Sequence, residues 1–456
     1  MIELAHKRVL VVGLGRSGIA AALLCAARGA RVTVTDKRSQ AGLGAALVQL
    51  PAGVTHELGG HKRETFLGAD LIVVSPGVPE IPELAAARAA GVEITGELEL
   101  ASQFVSATIV AITGTNGKST VTTLVGEMLR ATGRPTFVGG NLGEPLAEAV
   151  GTPAAAEGGF CVVEVSSFQL ETVGAFHPRV AVLLNITPDH LDRYDGLDGY
   201  AAAKARIFAA QTPEDFAVVN FDDPLAVRAS AAARSRRDGF SIVQSLATGA
   251  WLGGPLMLKL AHQPPESYPA DLAWLLGQRH NQANALAALL AARLAGASPA
   301  EARAGLLAFR PLAHRMELIA EVDGIAYYDD SKGTNVGAVV AALDGFPRRV
   351  VLIAGGRDKG GDYAPLAEVL GRVGRAAILI GEAADKMQAA FEGVVPVERA
   401  PTLEAAVDSA RRLARPGDAV VLSPACSSFD MFRDYAHRAE VFRGAVSRVT
   451  QTGSAQ

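Results

Sequence analysis

Short apolar runs rich in β-branched residues recur along the chain, and most of them end at glycines or small polar residues. Thr108–Thr113 and Phe160–Val165 are typical of these runs. They have the length and the side chains of buried strands, and helical patterns such as the one that begins at Lys118 separate them. Strands that alternate with helices in this way predict an α/β fold with mainly parallel sheets. The other predicted strands are Arg8–Val12, Arg31–Thr35, Asp70–Val74, Val92–Thr95, Arg179–Ile186, Ile325–Asp329, Arg349–Ile353, Ala376–Ile380 and Ala419–Leu422.

The chain is predicted to divide into three domains, because 456 residues are too many for one hydrophobic core. The first alternating stretch closes near residue 95. Phe309–Arg315 is a predicted linker, since Pro311 interrupts a helix end before a new strand begins. We expect three α/β domains, over 1–95, 96–310 and 311–456. The pattern does not order the strands and loops between residues 223 and 277.

Composition narrows the class of protein further. Hydrophobic residues make up 49% of the chain and charged residues 20%, as in a globular protein with buried sheets. The net charge of −4 provides no field for nucleic acid or for an anionic membrane. The longest apolar helical stretch, Ala283–Ala297, carries Arg293 and is too short to span a bilayer. Cys25, Cys161 and Cys426 lack a metal or redox spacing. With no secretory signal at the start, these features predict a cytoplasmic protein that binds small anions.

The most informative stretch is TIVAITGTNGKST at residues 108–120. A buried strand feeds a glycine-rich turn, and Lys118 opens an amphipathic helix. Backbone N–H groups and the helix dipole at such a turn attract phosphate, while Lys118 is suited to the β- and γ-phosphates and Ser119 to Mg²⁺. The full motif has a glycine where Ile112 stands, so this is a shortened variant. The alternative is an ordinary turn with a capping serine. The stretch predicts a nucleoside triphosphate site.

A second glycine-rich turn, Gly13–Gly18, follows the first predicted strand and leads into an alanine-rich helix. The next strand ends at Asp36, near the position of the ribose-binding acid in the dinucleotide fingerprint. Three interpretations stay open from the residues alone. The turn could bind a nicotinamide cofactor, could bind another nucleotide diphosphate, or could be a tight turn without a ligand.

Two further polar groups follow strands of the central domain. Glu164 lies at the end of one predicted strand, and His190 follows another. Because the carboxyl ends of parallel strands share one edge, both side chains are expected beside the phosphate turn. A carboxylate and an imidazole next to a triphosphate suggest metal coordination. The alternatives are a solvent-facing strand-end acid and a capping histidine.

Other candidate residues are ambiguous by themselves. Lys204 is a single lysine in an alanine-rich helix and reads as solvated. His280 and Asn284 share a helix face, although simple N-capping by Asn281 also explains the segment. Lys332 and Lys359 follow strands of the third domain, as does Ser428. Two lysines on one sheet edge suit an anionic substrate, whereas surface lysines are the alternative.

Taken together, the motifs resemble those of the Mur ligases, and they match in order over nearly the whole chain. Among these ligases the match is to the member that adds D-glutamate to UDP-N-acetylmuramoyl-L-alanine. The third domain lacks the Asn-Pro-Arg signature of the diaminopimelate-adding relative. The matching segments are GTNGKST (114–120), VEVSSFQLE (163–171), TPDHLDRY (187–194), YAAAKARIF (200–208), HNQAN (280–284), AHR (313–315), DDSKGTN (329–335) and SPACSSFDMF (423–432).

The resemblance implies a UDP-binding Rossmann-like domain over 1–95, a central P-loop-type ATPase domain over 96–310 and a Rossmann-like amino-acid-binding domain over 311–456. It also implies a role for each matching residue. The UDP-N-acetylmuramoyl-L-alanine contacts are Ser17, Asp36, Arg38, Ser75, Gly77, Asn141 and His190. The ATP contacts are Gly114, Thr115, Asn116, Gly117, Lys118, Ser119, Thr120, Asn284, Arg315 and Asp330. The D-glutamate contacts are Lys332, Thr334, Lys359, Ser428 and Phe429. The metal site consists of Ser119, Glu164, His190 and Lys204, and the catalytic group of Lys118, Glu164, His190, Lys204 and Arg315.

The resemblance also implies a reaction. ATP phosphorylates the L-alanyl carboxylate, and the amine of D-glutamate then displaces phosphate from the acyl phosphate. Two Mg²⁺ ions and a carbamylated Lys204 are expected to bring the anions together. This reaction is a cytoplasmic step of peptidoglycan synthesis, and the protein is expected to be a monomer with no nucleic-acid or membrane partner.

Three other functions are alternatives to this one, and each conflicts with or is distinguished by a feature of the chain. A related ligase that adds glutamate to a folate lacks a UDP-binding domain such as the one around Gly13–Gly18. A nicotinamide dehydrogenase leaves the phosphate turn unexplained. A non-catalytic nucleotide-regulated binding protein predicts no phosphate release when substrates are added.

Overall fold

The computed structural model describes residues 2–191, 193–275 and 278–453 of the chain. Strands and helices alternate through it, and the strands form three separate sheets. The predicted α/β architecture with mainly parallel sheets is therefore confirmed. Asp192, which belongs to a motif quoted above, lies outside the described residues. So do residues 276–277, in the stretch that the pattern does not order, and the chain ends at Met1 and 454–456.

The first sheet has five parallel strands in the order β3-β2-β1-β4-β5. Its strand order reverses between β1 and β4, which is where parallel α/β sheets bind ligands. The glycine turn after β1 and the turn after β4 meet at this point. The strands are β1 (Arg8–Val12), β2 (Arg31–Asp36), β3 (Thr55–Leu58), β4 (Leu71–Val74) and β5 (Glu93–Gly96). The helices are α1 (Arg16–Ala27), α2 (Gln40–Leu47), α3 (Arg63–Leu67), α4 (Pro82–Ala89) and α5 (Glu97–Ser102).

The second sheet has nine strands in the order β14-β13-β12-β11-β10-β9-β6-β8-β7. The strands are β6 (Thr108–Thr113), β7 (Thr136–Gly140), β8 (Phe160–Glu164), β9 (Val180–Leu183), β10 (Phe216–Asn220), β11 (Arg236–Ser241), β12 (Gly249–Leu252), β13 (Leu256–Lys259) and β14 (Glu266–Tyr268). The α-helices are α6 (Lys118–Arg130), α7 (Ser167–Leu170), α8 (Gly196–Ala205), α9 (Pro224–Ala229), α10 (Arg279–Leu294) and α11 (Pro299–Ala308), and 3-10 turns cover Leu146–Ala149, Pro153–Ala155 and Arg206–Phe208.

The stretch that the sequence leaves unordered forms one end of this sheet. β12, β13 and β14 pair antiparallel, whereas the strands from β7 to β12 pair parallel. Two predicted strands are too long, because Val165 lies beyond β8 and residues 184–186 lie beyond β9. These residues carry the turns that build the site.

Helix α10 explains the long alanine-rich run. Residues 285–292 are fully buried and pack in the core shared by the central sheet, α6 and α11. Alanine suits this position because it is a strong helix former and lets neighbouring elements approach closely. Among the helices of the described ranges, none has the length and apolar character needed to cross a membrane.

The third sheet has six strands in the order β15-β16-β20-β17-β18-β19, and only its edge strand β15 pairs antiparallel among the registered pairs. The strands are β15 (Glu317–Val322), β16 (Ile325–Asp329), β17 (Val350–Gly355), β18 (Gly374–Ile380), β19 (Val397–Arg399) and β20 (Ala419–Leu422). The helices are α12 (Val336–Leu343), α13 (Ala364–Val373), α14 (Ala384–Phe391), α15 (Leu403–Leu413) and α16 (Tyr435–Gly453).

A buried carboxylate fastens α5 to the central sheet. Glu99 accepts backbone N–H groups from Gly174, Ala175 and Phe176 at 2.9, 2.9 and 2.8 Å. These amides belong to the segment that precedes β9. Hydrogen bonds to a charged acceptor are stronger than neutral ones, so this carboxylate fixes α5 to the segment before β9.

Glu99→Gln is expected to lower the free energy of unfolding by about 2–3 kcal/mol, because an amide leaves at least one buried N–H without its acceptor. Urea or thermal unfolding of the purified variant measures the change. Glu157→Gln, which removes the same charge from an exposed loop, is the matched control. Equal unfolding midpoints for the two variants would show that the three N–H contacts contribute nothing.

Candidate active site

The phosphate turn between β6 and α6 has the strand–turn–helix context that the sequence predicts. Gly117 has a φ of +87°, a left-handed conformation that favours glycine. A Cβ atom there would lie 2.4 Å from Oδ1 of Asn284. Asn185, just beyond β9, fixes the turn by accepting the N–H of Asn116 at 2.8 Å and donating to its carbonyl at 3.0 Å. The turn is therefore preformed.

Two lysines converge on this turn. The Gly114 carbonyl accepts Nζ of Lys118 at 2.9 Å and Nζ of Lys204 at 2.8 Å, and Lys118 also donates to the Thr115 carbonyl. Lys204 is only 1% exposed, so the solvated alternative for it is wrong. Burial lowers the pKa of Lys118, and burial together with the charge of Lys118 holds the pKa of Lys204 well below its usual range. An anion bound here would relieve this crowding of positive charge.

Glu164 at the end of β8 faces these cations and is buried. Its Oε1 accepts Nδ2 of Asn141 at 2.8 Å. Its Oε2 has no hydrogen-bond partner among the described residues. The solvent-facing alternative for Glu164 is therefore wrong. A buried carboxylate oxygen without a partner has a free lone pair for a cation.

The linker brings an arginine from outside the central sheet to the turn. Nη2 of Arg315 donates to Oγ of Ser119 at 3.0 Å. Its flanking residues, His314 and Met316, have φ angles of +63° and +45°. Burial lowers the pKa of the Arg315 guanidinium, although Glu164 and Asp330 oppose that effect. The Arg315 guanidinium thus joins the two lysines at the start of α6.

A cleft of about 240 Å³ adjoins the turn between the second and third sheets. Phe240, Trp274 and Phe309 provide apolar walls, which suits a planar base. Burial raises the pKa of Asp330 to about 7, although the Ser423 hydroxyl donates to its carboxylate. The predicted site residues that line the cleft are Asn116, Gly117, Thr120, Asn284, Arg315, Asp330 and Lys332.

His280 also lines the cleft, at the start of α10. Its Nδ1 bonds to the Ala341 carbonyl at 2.9 Å, and burial lowers its pKa to about 4, so the neutral ring donates an N–H to α12. Asn281 donates its side-chain amide to the Trp274 carbonyl, and the residue at the N-cap is Gln278. N-capping by Asn281 is therefore wrong.

A second cavity, of about 850 Å³, is lined by His190 of the central domain and by loops of the third domain. Lys359 lines this cavity, and its Nζ lies 3.4 Å from Oδ1 of Asp189. Lys332 lines the first cleft instead, and its ammonium lies 3.9 Å from the ring centroid of Tyr435, which borders the second cavity. The predicted residues that line the second cavity are His190, Thr334, Lys359, Ser428 and Phe429.

His190 has a φ of +55° and packs edge-on against Phe168, with ring centroids 4.8 Å apart. Its backbone N–H bonds to the side chain of its neighbour Asp189. His190 is among the residues that line the second cavity. The structure therefore joins His190 to the cavity that holds Lys359.

Two predicted residues, Asp36 and Ser75, bond directly to the glycine turn of the first sheet, and a third, Arg38, bonds to Asp36. Oδ2 of Asp36 accepts the Leu14 N–H at 2.8 Å and Nη2 of Arg38 at 2.7 Å. Burial raises the pKa of Asp36, but the bonds from Arg38 and Leu14 outweigh it and hold the pKa at about 2. Oγ of Ser75 donates to the Gly13 carbonyl at 2.7 Å. The remaining predicted residues, Ser17 and Gly77, lie in the first turn of α1 and in the turn after β4.

Sequence reasoning missed several residues of the site. Asp189 contacts both Lys359 and Asn335, yet its only signal is its position beside His190. Asn335 caps α12 and follows Thr334 in a matched motif. Asn185 and Tyr435 have no separate signal in the sequence, since their roles depend on distant partners.

One group of His, Asp and Glu side chains in the described ranges is close enough to hold a cation, and it is not the predicted metal set. It consists of His314, Glu317 and Asp329. Nη2 of Arg443, from α16, donates to both carboxylates. Because one guanidinium already bonds to both carboxylates, this group braces the linker.

The three-domain α/β fold, with a glycine-rich turn at Lys118 and a cavity lined by Lys359, is that of an ATP-dependent ligase, and comparisons with known proteins agree. The MurD-like N-terminal domain of Mur ligases matches residues 7–96, the Mur ligase middle domain matches 112–292, and the Mur ligase glutamate ligase domain matches 314–426. The chain belongs to the Mur ligase family, whose members are ATP-dependent amide-bond-forming ligases that use Mg²⁺. The family predicted from the motifs is confirmed.

Curated relatives extend over the whole chain. The UDP-N-acetylmuramoylalanine–D-glutamate ligase of Geotalea daltonii is 50% identical over 449 residues and covers 98% of both chains. The protein of the same name from Anaeromyxobacter dehalogenans is 50% identical over 456 residues and covers 97% of both. That of Syntrophotalea carbinolica is 47% identical over 455 residues, 99% of this chain and all of the relative.

Solved structures share the fold at low identity. A pseudomurein peptide ligase type C from Methanothermus fervidus superposes with a TM-score of 0.63 at 18% identity, over 97% of this chain and all of that chain. UDP-N-acetylmuramate-alanine ligase MurC from Thermotoga maritima gives a TM-score of 0.59 at 18% identity, over 98% of this chain and all of that chain. These likenesses support the three-domain architecture.

Proposed function

We propose that the protein joins D-glutamate to UDP-N-acetylmuramoyl-L-alanine at the expense of ATP, through an acyl phosphate. The observation that carries this proposal is the convergence of Lys118, Lys204 and Arg315 at one turn, beside a cavity lined by Lys359. Cations between two bound anions are what the attack of a carboxylate on a phosphoryl group requires. The full-length relatives carry the name of this activity. The alternative is a related amide ligase with a different amino acid.

The nucleotide is proposed to occupy the cleft beside α6. The apolar walls and Asn284 suit the base, while buried Asp330 suits a ribose hydroxyl. The phosphates then lie on the turn, where Lys118 and Arg315 neutralise charge that grows on the transferred group. The proposed contacts are Gly114, Thr115, Asn116, Gly117, Lys118, Ser119, Thr120, Asn284, Arg315 and Asp330.

The nucleotide-sugar is proposed to bind at the point where the first sheet reverses its order. Phosphate oxygens suit the start of α1, because its N-cap residue Gly15 provides no side-chain acceptor for the first N–H groups of the helix. Asn141 and His190 then border the L-alanyl end. The proposed contacts are Ser17, Asp36, Arg38, Ser75, Gly77, Asn141 and His190.

The amino acid is proposed to bind in the second cavity. D-glutamate carries two carboxylates, and cations that border the cavity suit them. Lys332 belongs to this set only through Tyr435, since its ammonium faces the nucleotide cleft. The proposed contacts are Lys332, Thr334, Lys359, Ser428 and Phe429.

Metal binding is proposed for Ser119, Glu164, His190 and Lys204. The unpartnered Oε2 of Glu164 fits a metal ligand, and burial favours the neutral amine of Lys204, which is the form that reacts with CO₂. Carbamylation forms an N–C bond, releases the amine proton and leaves a carboxylate in place of a cation. Bound Mg²⁺, with two ions proposed, would withdraw charge from the phosphoryl oxygens.

The chain's own residues then have distinct tasks. Lys118 and Arg315 hold the phosphates in line with the attacking carboxylate. Lys359 at the second cavity orients the amino acid so that its amine meets the acyl carbon. Packing of the third domain over the turn keeps water from the labile acyl phosphate. We also propose the domain boundaries at 95/96 and 310/311, a cytoplasmic location and a monomeric state.

The deciding experiment measures phosphate release with ATP, Mg²⁺ and UDP-N-acetylmuramoyl-L-alanine. D-Glutamate is expected to support turnover, whereas L-glutamate, L-lysine and diaminopimelate are not. Release with no added amino acid at the same rate would indicate an ATPase instead. Turnover with only one of the other amino acids would replace D-glutamate in the proposal.

A further inference from the structure

We propose that Asn335 is a positioning residue that couples the docking of α12 to the order of the phosphate turn. The inference rests on the proposed function, since it assigns a task within the same site. Asn335 lies in the third domain, whereas its partners Asn116 and Asp189 belong to the central domain. Its side chain therefore bridges the two domains at the point where the phosphates are expected.

The Asn335 amide uses its full hydrogen-bonding capacity. Its Nδ2 donates to Oδ1 of Asn116 and to Oδ2 of Asp189, both at 3.2 Å. Its Oδ1 accepts the Ala338 N–H at 2.8 Å, which caps α12, and Nδ2 of Asn116 at 3.4 Å. Two donors and two acceptor sites are what a primary amide offers. Neither a carboxylate nor a hydroxyl can replace this set.

The bridge continues into the sheet. Asn116, the partner of Asn335, is itself fixed by Asn185 through two hydrogen bonds. Asp189, the other partner, also receives Lys359 at 3.4 Å from the third domain. Docking of α12 is thus linked through Asn335 to the turn on one side and to the second cavity on the other. The position of α12 therefore affects both the phosphate turn and the second cavity.

A neighbouring glycine supports the same interpretation independently. A Cβ atom at Gly337, in the first turn of α12, would lie 2.7 Å from Oγ1 of Thr187 and 3.4 Å from Nδ2 of Asn116. The first of these distances is too short for a real side chain. The helix therefore approaches the central domain more closely than any other residue at position 337 permits.

The first test is Asn335→Asp, which keeps the size of the side chain and the cap of α12. It removes both donors and opposes a carboxylate to Asp189. Like charges in contact are strongly unfavourable, so kcat is expected to fall by about 10- to 100-fold. The KM for the nucleotide-sugar is expected to stay unchanged, because that substrate binds beside the first sheet. Thermal stability is expected to stay close to wild type.

Thr402→Ala is the matched control. Thr402 caps α15 of the same domain by accepting the Ala405 N–H at 3.2 Å, and it lies outside both cavities. Its loss is expected to lower the unfolding midpoint and leave kcat unchanged. A purely structural role for Asn335 predicts the same pattern for Asn335→Asp. Equal kcat values for these two variants would overturn the proposal.

Gly337→Ala is the second test, and it separates docking from folding. Alanine favours a helix more than glycine does, so α12 itself is not weakened. The added methyl group is expected to hold α12 away from Thr187 and to lower kcat. Labels on exposed positions of α11 and α14 are expected to report a larger separation with nucleotide bound. Wild-type kcat and separation in this variant would contradict the proposal.

The two levels of inference fail differently. Absence of D-glutamate-dependent phosphate release by the wild-type protein would refute the proposed function. Wild-type turnover together with unchanged kcat in both the Asn335 and Gly337 variants would refute only the coupling role.

Discussion

Lys118→Ala is expected to abolish D-glutamate-dependent phosphate release. The ammonium of Lys118 already lies on the phosphate turn, held by the carbonyls of Gly114 and Thr115 at 2.9 and 2.8 Å. It can exchange these weak acceptors for charged phosphate oxygens as the nucleotide arrives. Loss of one such group from a preorganised site costs about 10²- to 10³-fold in rate, and the proposed binding role adds weaker ATP affinity. Phosphate release and calorimetric titration with ATP measure the two effects.

The variant is also expected to fold as well as the wild type. Burial lowers the pKa of Lys118, which means that the folded protein disfavours its charge. Removal of that charge is therefore not expected to destabilise the fold. Any decrease in the free energy of unfolding should come from the lost side-chain packing alone. Lys259→Ala, on β13 in the same domain, controls for loss of a lysine. Turnover by Lys118→Ala at the rate of that control would refute the role.

Lys204→Ala is expected to lower turnover by about 100-fold, the loss typical of a removed metal ligand or its support. Its Nζ donates to the Gly114 carbonyl at 2.8 Å from within the core, so the side chain cannot serve a surface role. A small carboxylate such as formate or acetate fits the space that the shortened side chain leaves. We expect such an anion to restore part of the rate if Lys204 acts as a carbamate.

Lys204→Arg is the matched control for this rescue. Arginine keeps a cation, cannot form the carbamate under these conditions and fills the space, so no rescue is expected. Carbamylation has its own readout in the wild-type protein, where ¹³CO₂ is expected to give a carbamate carbon signal that Lys204→Ala lacks. A wild-type rate in Lys204→Ala would make it an ordinary buried lysine.

Local signals determined the elements nearest the chemistry. The run from Thr108 to Thr120 contains a strand, two glycines and a helix start within consecutive residues, so it specifies its own geometry. Most of the predicted strands lie in the interior of a sheet, because burial on both faces requires a continuous apolar run. The edge strands β3, β7, β15 and β19 were not predicted. They are partly exposed or contain glycine, and their sequences lack that run.

Position in the chain was a poor guide for other residues. Lys204 reads as a solvated lysine among alanines, yet it is buried because α8 packs with its lysine toward the phosphate turn. β10 has an apolar run but no neighbouring motif, and it is not among the predicted strands. Ion pairs and burial depend on elements far apart in sequence, so a single window cannot reveal them.

By itself the sequence determined the α/β class, the phosphate turn and the motifs of the Mur ligase family, because each of these depends on consecutive residues. The tertiary structure alone decided which cavity each lysine lines and that Asn335 reaches both Asn116 and Asp189. It also decided that Oε2 of Glu164 has no hydrogen-bond partner within the described part of the chain. The physical reason is that hydrogen bonds, desolvation and charge act over a few ångströms in space. Only folding brings residues 116, 189 and 335 within that range.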